Sequence, residues 1–188
     1  PVACGWHTVR LAKAALSGDA KTALVIGGGA IGLGAALSLS AQGVADVTIV
    51  EPNALRRDVL NTKCQQTAIS PDDLPNDAQF DLVIDGVGYA ATRATASAHA
   101  CPGGVIGHIG LGEGTGGLDV RRMTLQEITF IGTYTYTAQD FRDTAAAIFD
   151  GRLGALDWTE ERPLSEGGQA FADIRAGRTA APKIILRP

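Results

Sequence analysis

Three glycines, Gly27, Gly29 and Gly32, stand in the spacing G-x-G-x-x-G, and an acid, Glu51, follows them. Glycines set this way bare the backbone to a ligand, and a carboxylate about 20 residues on can accept hydroxyl donors. Each position has a separate task. Gly27 permits a tight turn out of the apolar run Leu24-Val25-Ile26, and Gly29, without a Cβ, lets a pyrophosphate come close. Gly32 lets the following helix pack against the sheet, and the N-terminus of that helix offers unpaired N–H groups and about half a positive charge to phosphates. Glu51 ends a second apolar run, Val47 to Val50, where its carboxylate can accept both hydroxyls of a ribose. Charge-assisted bonds of this kind contribute about 1.5–3 kcal/mol each. The same carboxylate repels a 2′-phosphate, so the spacing predicts NAD rather than NADP; Arg56 and Arg57 are the residues that could hold that phosphate instead.

The other residues that invite a chemical reading are scattered. His7, His99 and His108 fall on the first helix, a helix end and a strand, and are expected in structural or surface roles, with His108 best placed for anything more. Cys4 lacks a histidine partner and reads as a packed thiol rather than a nucleophile. Tyr89, Tyr134 and Tyr136 have no lysine at the Tyr-x-x-x-Lys spacing of short-chain dehydrogenases. Asp72 and Asp73 lie in a polar stretch and read as solvated, and Gly112 to Gly117 reads as a mobile loop, because no strand-to-helix switch follows it.

Alternating strands and helices must position the glycine turn and the acid. A lead-in helix over 1–17 precedes strand 23–27, helix 30–43, strand 46–51, a helix capped by Asn53 and running to Lys63, and a short strand 67–70. A second half follows: strand 80–85, helix 90–100, strand 105–109, the loop 110–117, strand 127–132 and helix 138–150. The remainder gives an extended piece near 158–164, a helix 165–176 and a last strand, Lys183 to Arg187. This order predicts an α/β fold, a doubly wound parallel sheet with right-handed crossovers and a short C-terminal appendage. The expected division is 1–17 lead-in, 18–153 Rossmann domain and 154–188 C-terminal segment.

Composition agrees with one large domain. The chain has 188 residues, 19% of them charged, and a net charge of −4, with no basic patch to suggest a nucleic-acid partner. Cys4, Cys64 and Cys101 lack CxxC spacing, which argues against a zinc knot or a disulfide framework and fits a reducing, cytoplasmic setting. The uncharged stretch from Thr22 to Ala45 is long enough to span a bilayer, but its glycines and polar residues fit strand, turn and helix better, so no membrane span and no signal peptide are expected.

With these motifs in place the chain resembles the cofactor-binding half of the zinc-containing medium-chain alcohol and polyol dehydrogenases. The resemblance rests on five segments: Pro1-Val2-Ala3-Cys4-Gly5-Trp6-His7-Thr8-Val9-Arg10, Ala23 to Gly32, Asp81 to Gly88, Pro102-Gly103-Gly104 with Gly107 to Gly112, and Arg162 to Pro188. It implies that Gly27, Gly29, Ala30, Ile31 and Gly32 meet the phosphates of NAD and Glu51 its ribose, with Arg56 along the adenine and Val87 and Gly88 bordering the same face. It also implies that Leu111, Gly112 and Thr133, Tyr134 and Thr135 offer backbone groups to the carboxamide, and that Cys4 lies against the nicotinamide ring. The family's catalytic half, with its cysteine, histidine and glutamate zinc ligands, is not among these residues. In polyol-type members a glutamate often stands just before the segment that begins here with Pro1. The expectation is therefore an excised or truncated cofactor domain that binds NAD but does not turn over an alcohol, zinc and the small alcohol substrate belonging to the full-length parent.

Other readings of the same residues are a stand-alone NAD-binding or redox-sensing module without catalysis, a methyltransferase using S-adenosylmethionine, and a zinc-free quinone or enoyl reductase, whose usual NADPH Glu51 opposes. The resemblance also implies a homodimer through the sheet edge near Leu118-Asp119-Val120-Arg121-Arg122-Met123-Thr124.

Overall fold

The computed structural model describes all of residues 1–188. Its centre is a parallel sheet built from β1 (Thr22–Ile26), β2 (Asp46–Val50), β3 (Thr67–Ile69), β4 (Phe80–Asp85), β5 (Ala100–His108) and β6 (Thr129–Gly132), in the spatial order β3-β2-β1-β4-β5-β6. Helices connect the strands: α1 (Val2–Ala15) leads in, α2 (Ala30–Ala41) joins β1 to β2, α3 (Ala54–Thr62) joins β2 to β3, and α4 (Ala90–His99) joins β4 to β5. A short α5 (Val120–Leu125) precedes β6, and α6 (Ala138–Phe149) follows it. The strand order reverses between β1 and β4, which opens a crevice at their carboxyl ends.

Side-chain alternation along the strands divides the core between the two faces of the sheet. Val25, Ile49, Leu82, Ile84 and Val105 face α1, α2 and α3, where Val9, Leu33, Leu39 and Leu60 complete the larger cluster. Leu24, Ile26, Val50, Val83 and Ile106 face the other way, against Ala96 of α4. Burial on both faces explains why these strands read as continuous apolar runs. Helices α1 and α2 cross at glycines: a Cβ on Gly5 would stand 2.4 Å from the Ala35 backbone nitrogen, and one on Gly34 would stand 3.0 Å from Val2 Cα.

One element departs from expectation, and the sheet edge and the C-terminal segment gain detail. β5 begins at Ala100 rather than near Val105, because Ala100 pairs with Phe80 before an irregularity carries the register to Leu82 and Val105. The segment 118–124, expected beside the sheet edge, is largely the helix α5, whose start is fixed by the Asp119 side chain accepting the Arg122 N–H. The edge strand itself is β6, which pairs with β5 alone. At the C-terminus β7 (Thr159–Pro163) and β8 (Lys183–Arg187) pair in parallel as a separate two-stranded sheet, linked by α7 (Gly167–Arg175). No helix is long and apolar enough to cross a membrane.

Candidate functional site

The glycine turn leaves β1 at Gly27, whose φ of +93° lies in the region glycine tolerates best and whose N–H donates to the Val50 carbonyl at 2.8 Å. A Cβ on Gly32 would stand 1.7 Å from the Gly27 carbonyl oxygen, so only glycine lets the first turn of α2 press onto the strand end. Gly29 differs: a Cβ there would meet nothing within 4 Å, so its outer side is open to a ligand. Gly29 is also the N-cap of α2. The N–H groups of the first helical turn, Ala30 and Ile31 included, have no partner within the helix.

Glu51 closes the other side of this turn and is only 4% exposed. Its Oε2 accepts the Gly28 N–H at 2.7 Å and its Oε1 accepts the Asn53 N–H at 2.8 Å. The carboxylate thus holds the glycine turn against the start of α3, and each oxygen keeps lone-pair capacity for a further donor. Arg56 Nη1 stands 3.7 Å from Glu51 Oε2, while Arg56 Nη2 donates to the Thr179 carbonyl at 3.3 Å and Nε is buried without a partner. Arg57 turns away, donating to the carbonyls of Glu51 and Pro52 at 2.8 Å each. A groove of about 560 Å³ runs onward from this point, lined by Gly27, Val50, Pro52, Val87 and Tyr89 among others. It is an apolar shelf beside a carboxylate.

Across the crevice, the fully buried Asp85 organises the turn after β4. Its Oδ1 accepts the N–H groups of Val87 and Gly88, both at 2.9 Å, and its Oδ2 accepts the Thr92 hydroxyl at 2.9 Å. His108, at the end of β5, places Nε2 3.6 Å from Asp85 Oδ2, and that nitrogen is buried with no hydrogen-bond partner. Burial pushes the His108 imidazole below its ordinary pKa, against the pull of Asp85. Leu111 is exposed, and Gly112 donates its N–H to the Val87 carbonyl at 3.1 Å. Thr133 donates its N–H to the His108 carbonyl at 2.9 Å, and its hydroxyl meets that of Thr8 at 2.7 Å. Thr8 in turn donates to the Cys4 carbonyl at 3.0 Å, which links Cys4 on α1 to the end of β6. Tyr134 is exposed and Thr135 has a φ of +51°.

Most of the expected site residues lie at the carboxyl ends of the strands, in two groups, with Tyr134 and Thr135 just beyond β6. Gly27, Gly29, Ala30, Ile31, Gly32, Glu51 and Arg56 gather at the β1 and β2 ends; Val87, Gly88, Leu111, Gly112 and Thr133 gather at the ends of β4, β5 and β6, with Cys4 joined through Thr8. The loop 110–117, of which Gly112 to Gly117 reads as mobile in the sequence, carries bonds to the turn after β4: Glu113 donates its N–H to the Gly88 carbonyl at 2.9 Å and accepts the Ala90 N–H on its side chain at 2.8 Å. Arg93, in the alanine-rich helix α4, holds the same loop through its carbonyls, a role with no signature in the sequence. Of the remaining histidines, His7 Nδ1 lies 2.7 Å from buried Asp140, and His99 Nδ1 meets the Ala78 carbonyl at 2.8 Å. Asp72 and Asp73 are exposed.

A wholly parallel sheet of this order, with a glycine turn after its first strand and a buried acid at the end of its second, defines a Rossmann-type dinucleotide-binding fold. A family model described as zinc-binding dehydrogenase matches residues 30–150. The chain belongs to that family. Relatives include a probable diacetyl reductase [(R)-acetoin forming] of Saccharomyces cerevisiae, 29% identical over 166 residues, with 81% of this chain and 39% of that protein covered. Another is L-galactonate-5-dehydrogenase of Escherichia coli, 28% identical over 164 residues, with 82% of this chain and 47% of that protein covered. Among solved structures, acetophenone reductase of Geotrichum candidum in complex with NAD superposes with a TM-score of 0.82 at 20% identity, covering all of this chain and 53% of that one. The chain thus spans about half the length, or less, of the proteins it matches.

Proposed function

We propose that this chain binds NAD as the cofactor domain of an oxidoreductase acting on an alcohol or polyol. The observation that carries this reading is the Glu51 carboxylate, buried beside the open Gly29 and bonded to the glycine turn, with lone pairs left for ribose hydroxyls. The N–H groups at Gly29, Ala30, Ile31 and Gly32 would receive the pyrophosphate, and Arg56 would lie along the adenine at the groove lined by Val87, with Gly88 next to it in the chain. The second half of the dinucleotide would cross the β1–β4 switch to Leu111, Gly112 and residues 133–135, with Cys4 beside it. Bound NAD supplies the hydride acceptor, its nicotinamide. The chain's own residues would hold that ring in place, with His108, whose pKa burial lowers, at the end of β5.

The preference for NAD over NADP follows from charge. A 2′-phosphate would be pressed against the Glu51 carboxylate; Arg57 Nη1 is taken up by the carbonyls of Glu51 and Pro52, and Arg56 already faces that carboxylate at 3.7 Å and donates to the Thr179 carbonyl. Zinc does not fit these residues: no three His, Cys, Asp or Glu side chains come together to hold a metal ion. The metal and the alcohol pocket of the whole enzyme belong to other residues, toward which segment 154–188 would return, and this chain alone would bind NAD without oxidising an alcohol. A homodimer through the open edge of β6, next to segment 118–124, is part of the same proposal. Titration with NAD, NADP and S-adenosylmethionine tests it. NAD alone should bind tightly; equal affinity for NADP refutes the role given to Glu51, and preference for S-adenosylmethionine refutes the oxidoreductase reading.

A further inference from the structure

Arg93 is only 5% exposed, yet no carboxylate bonds to it; the nearest, on Glu113, stands 3.9 Å away. Its guanidinium is spent on backbone carbonyls instead. Nε donates to Gly116 at 2.6 Å, Nη1 donates to Gly88 at 2.9 Å and to Glu113 at 3.0 Å, and Nη2 donates to Thr115. Gly88 belongs to the turn after β4, and the other acceptors belong to the loop after β5. One rigid fork of donors therefore fastens the loop after β5 to the turn after β4, beside the Gly112 and Glu113 N–H bonds to Val87 and Gly88 and the Ala90 N–H bond to Glu113.

The fastened loop is the one that most needs it. Gly110, Gly112, Gly114, Gly116 and Gly117 give it a large conformational entropy to lose. Close approaches demand glycine at two of these positions in particular: a Cβ on Gly110 would stand 2.1 Å from the Val87 carbonyl carbon, and one on Gly117 would stand 2.0 Å from the Ala90 carbonyl oxygen. The sequence thus gives up side chains to let the loop lie on the turn, and Arg93 holds it there.

We infer that Arg93 is a positioning residue for the nicotinamide half of the bound dinucleotide, acting by fixing Leu111 and Gly112 relative to Val87 and Gly88. This rests on the NAD-binding reading above. Arg93 touches no cofactor; it sets the place of backbone groups that do. Its effect should fall mainly on the half of the ligand over the loop after β5; the adenine half, anchored by Glu51 and the glycine turn and only bordered by Val87 and Gly88, should change little.

The test compares NAD with ADP-ribose, which lacks the nicotinamide, on the full chain and its R93M and R93K variants. In R93M the Kd for NAD should rise about tenfold or more while that for ADP-ribose moves by less than about twofold. R93K keeps the charge but cannot reach all the carbonyls, so its Kd for NAD should fall between the two. Equal loss of both ligands, or loss of neither, overturns the inference. An unaltered chain that binds neither ligand overturns the NAD reading, and this inference with it. Hydrogen exchange on the ligand-free chain adds a readout that does not depend on R93M folding. The amides of Gly112 and Glu113, bonded to Val87 and Gly88, should be protected in the unaltered chain and exchange faster in R93K; exchange at the rate of an unstructured glycine loop in the unaltered chain, or equal protection in both chains, would overturn the fastening by Arg93.

Discussion

Replacing Glu51 with glutamine is the most informative single change, because it keeps the side chain's shape and removes its charge. In the native chain the two carboxylate oxygens accept N–H groups from Gly28 and Asn53 at 2.7 and 2.8 Å. A glutamine can satisfy one of these donors but turns an NH₂ group toward the other, leaving a buried clash of donors worth about 1–3 kcal/mol of stability. The ligand loses as well. Two ribose hydroxyls donating to a carboxylate contribute about 1.5–3 kcal/mol each, against about 0.5–1.5 kcal/mol for neutral acceptors. With at most one neutral acceptor left facing the ribose, affinity for NAD should drop by at least about 1.5 kcal/mol, or more than about tenfold in Kd. Calorimetric titration of the folded E51Q chain measures this directly. NADP supplies the internal control, since the change also removes repulsion from its 2′-phosphate and its Kd should hold steady or fall. Unchanged NAD affinity in a folded variant, or equal losses for NAD and NADP, would refute the assignment of Glu51 to the ribose.

Three further outcomes follow from the geometry. G29A, whose new methyl meets open space, should melt like the parent but bind NAD weakly, whereas G32A, whose methyl would drive into the Gly27 carbonyl, should lose about 1–3 kcal/mol or more of stability in chemical denaturation. The Arg10 guanidinium, with Thr137 and His7, holds the buried Asp140 carboxyl well below the usual carboxylate range. A lowered folded-state pKa stabilises the chain above the unfolded value of about 4 and is lost as pH falls from there toward the lowered value, so denaturation below about pH 4 should be less steep with pH in D140N than in the parent. Burial pushes the Cys64 thiol up to about 11, and thiol reagents near pH 8 should modify it only after unfolding, as mass mapping of labelled peptides would show.

Much of the fold was legible because its central strands are buried on both faces. Leu24 to Ile26, Val47 to Val50 and Leu82 to Ile84 could be read as strands from apolar runs alone, and Asn53 caps α3 by accepting the Arg56 N–H, as its residue type suggested. The early start of β5 was hidden, since Pro102-Gly103-Gly104 signals a turn and only pairing with Phe80 makes Ala100 a strand residue. The helix α5 has six residues, too few for a periodicity to show. In the site, the glycine spacing and the acid were visible because both are local patterns. The bonds of Asp85 to the turn after β4 and the grip of Arg93 on the loop after β5 were not, because they join segments far apart in sequence through backbone atoms that every residue carries.

The most direct measurement is an amide proton–nitrogen correlation spectrum of the chain recorded as NAD is added. Shifts should appear at Gly27 to Gly32, Glu51 and Asn53, then across the switch at Val87, Gly88, Leu111, Gly112 and Thr133, with the β7–β8 strands unmoved. A spectrum that NAD leaves unchanged, or shifts confined to residues away from the carboxyl ends of the sheet, would contradict dinucleotide binding at this crevice.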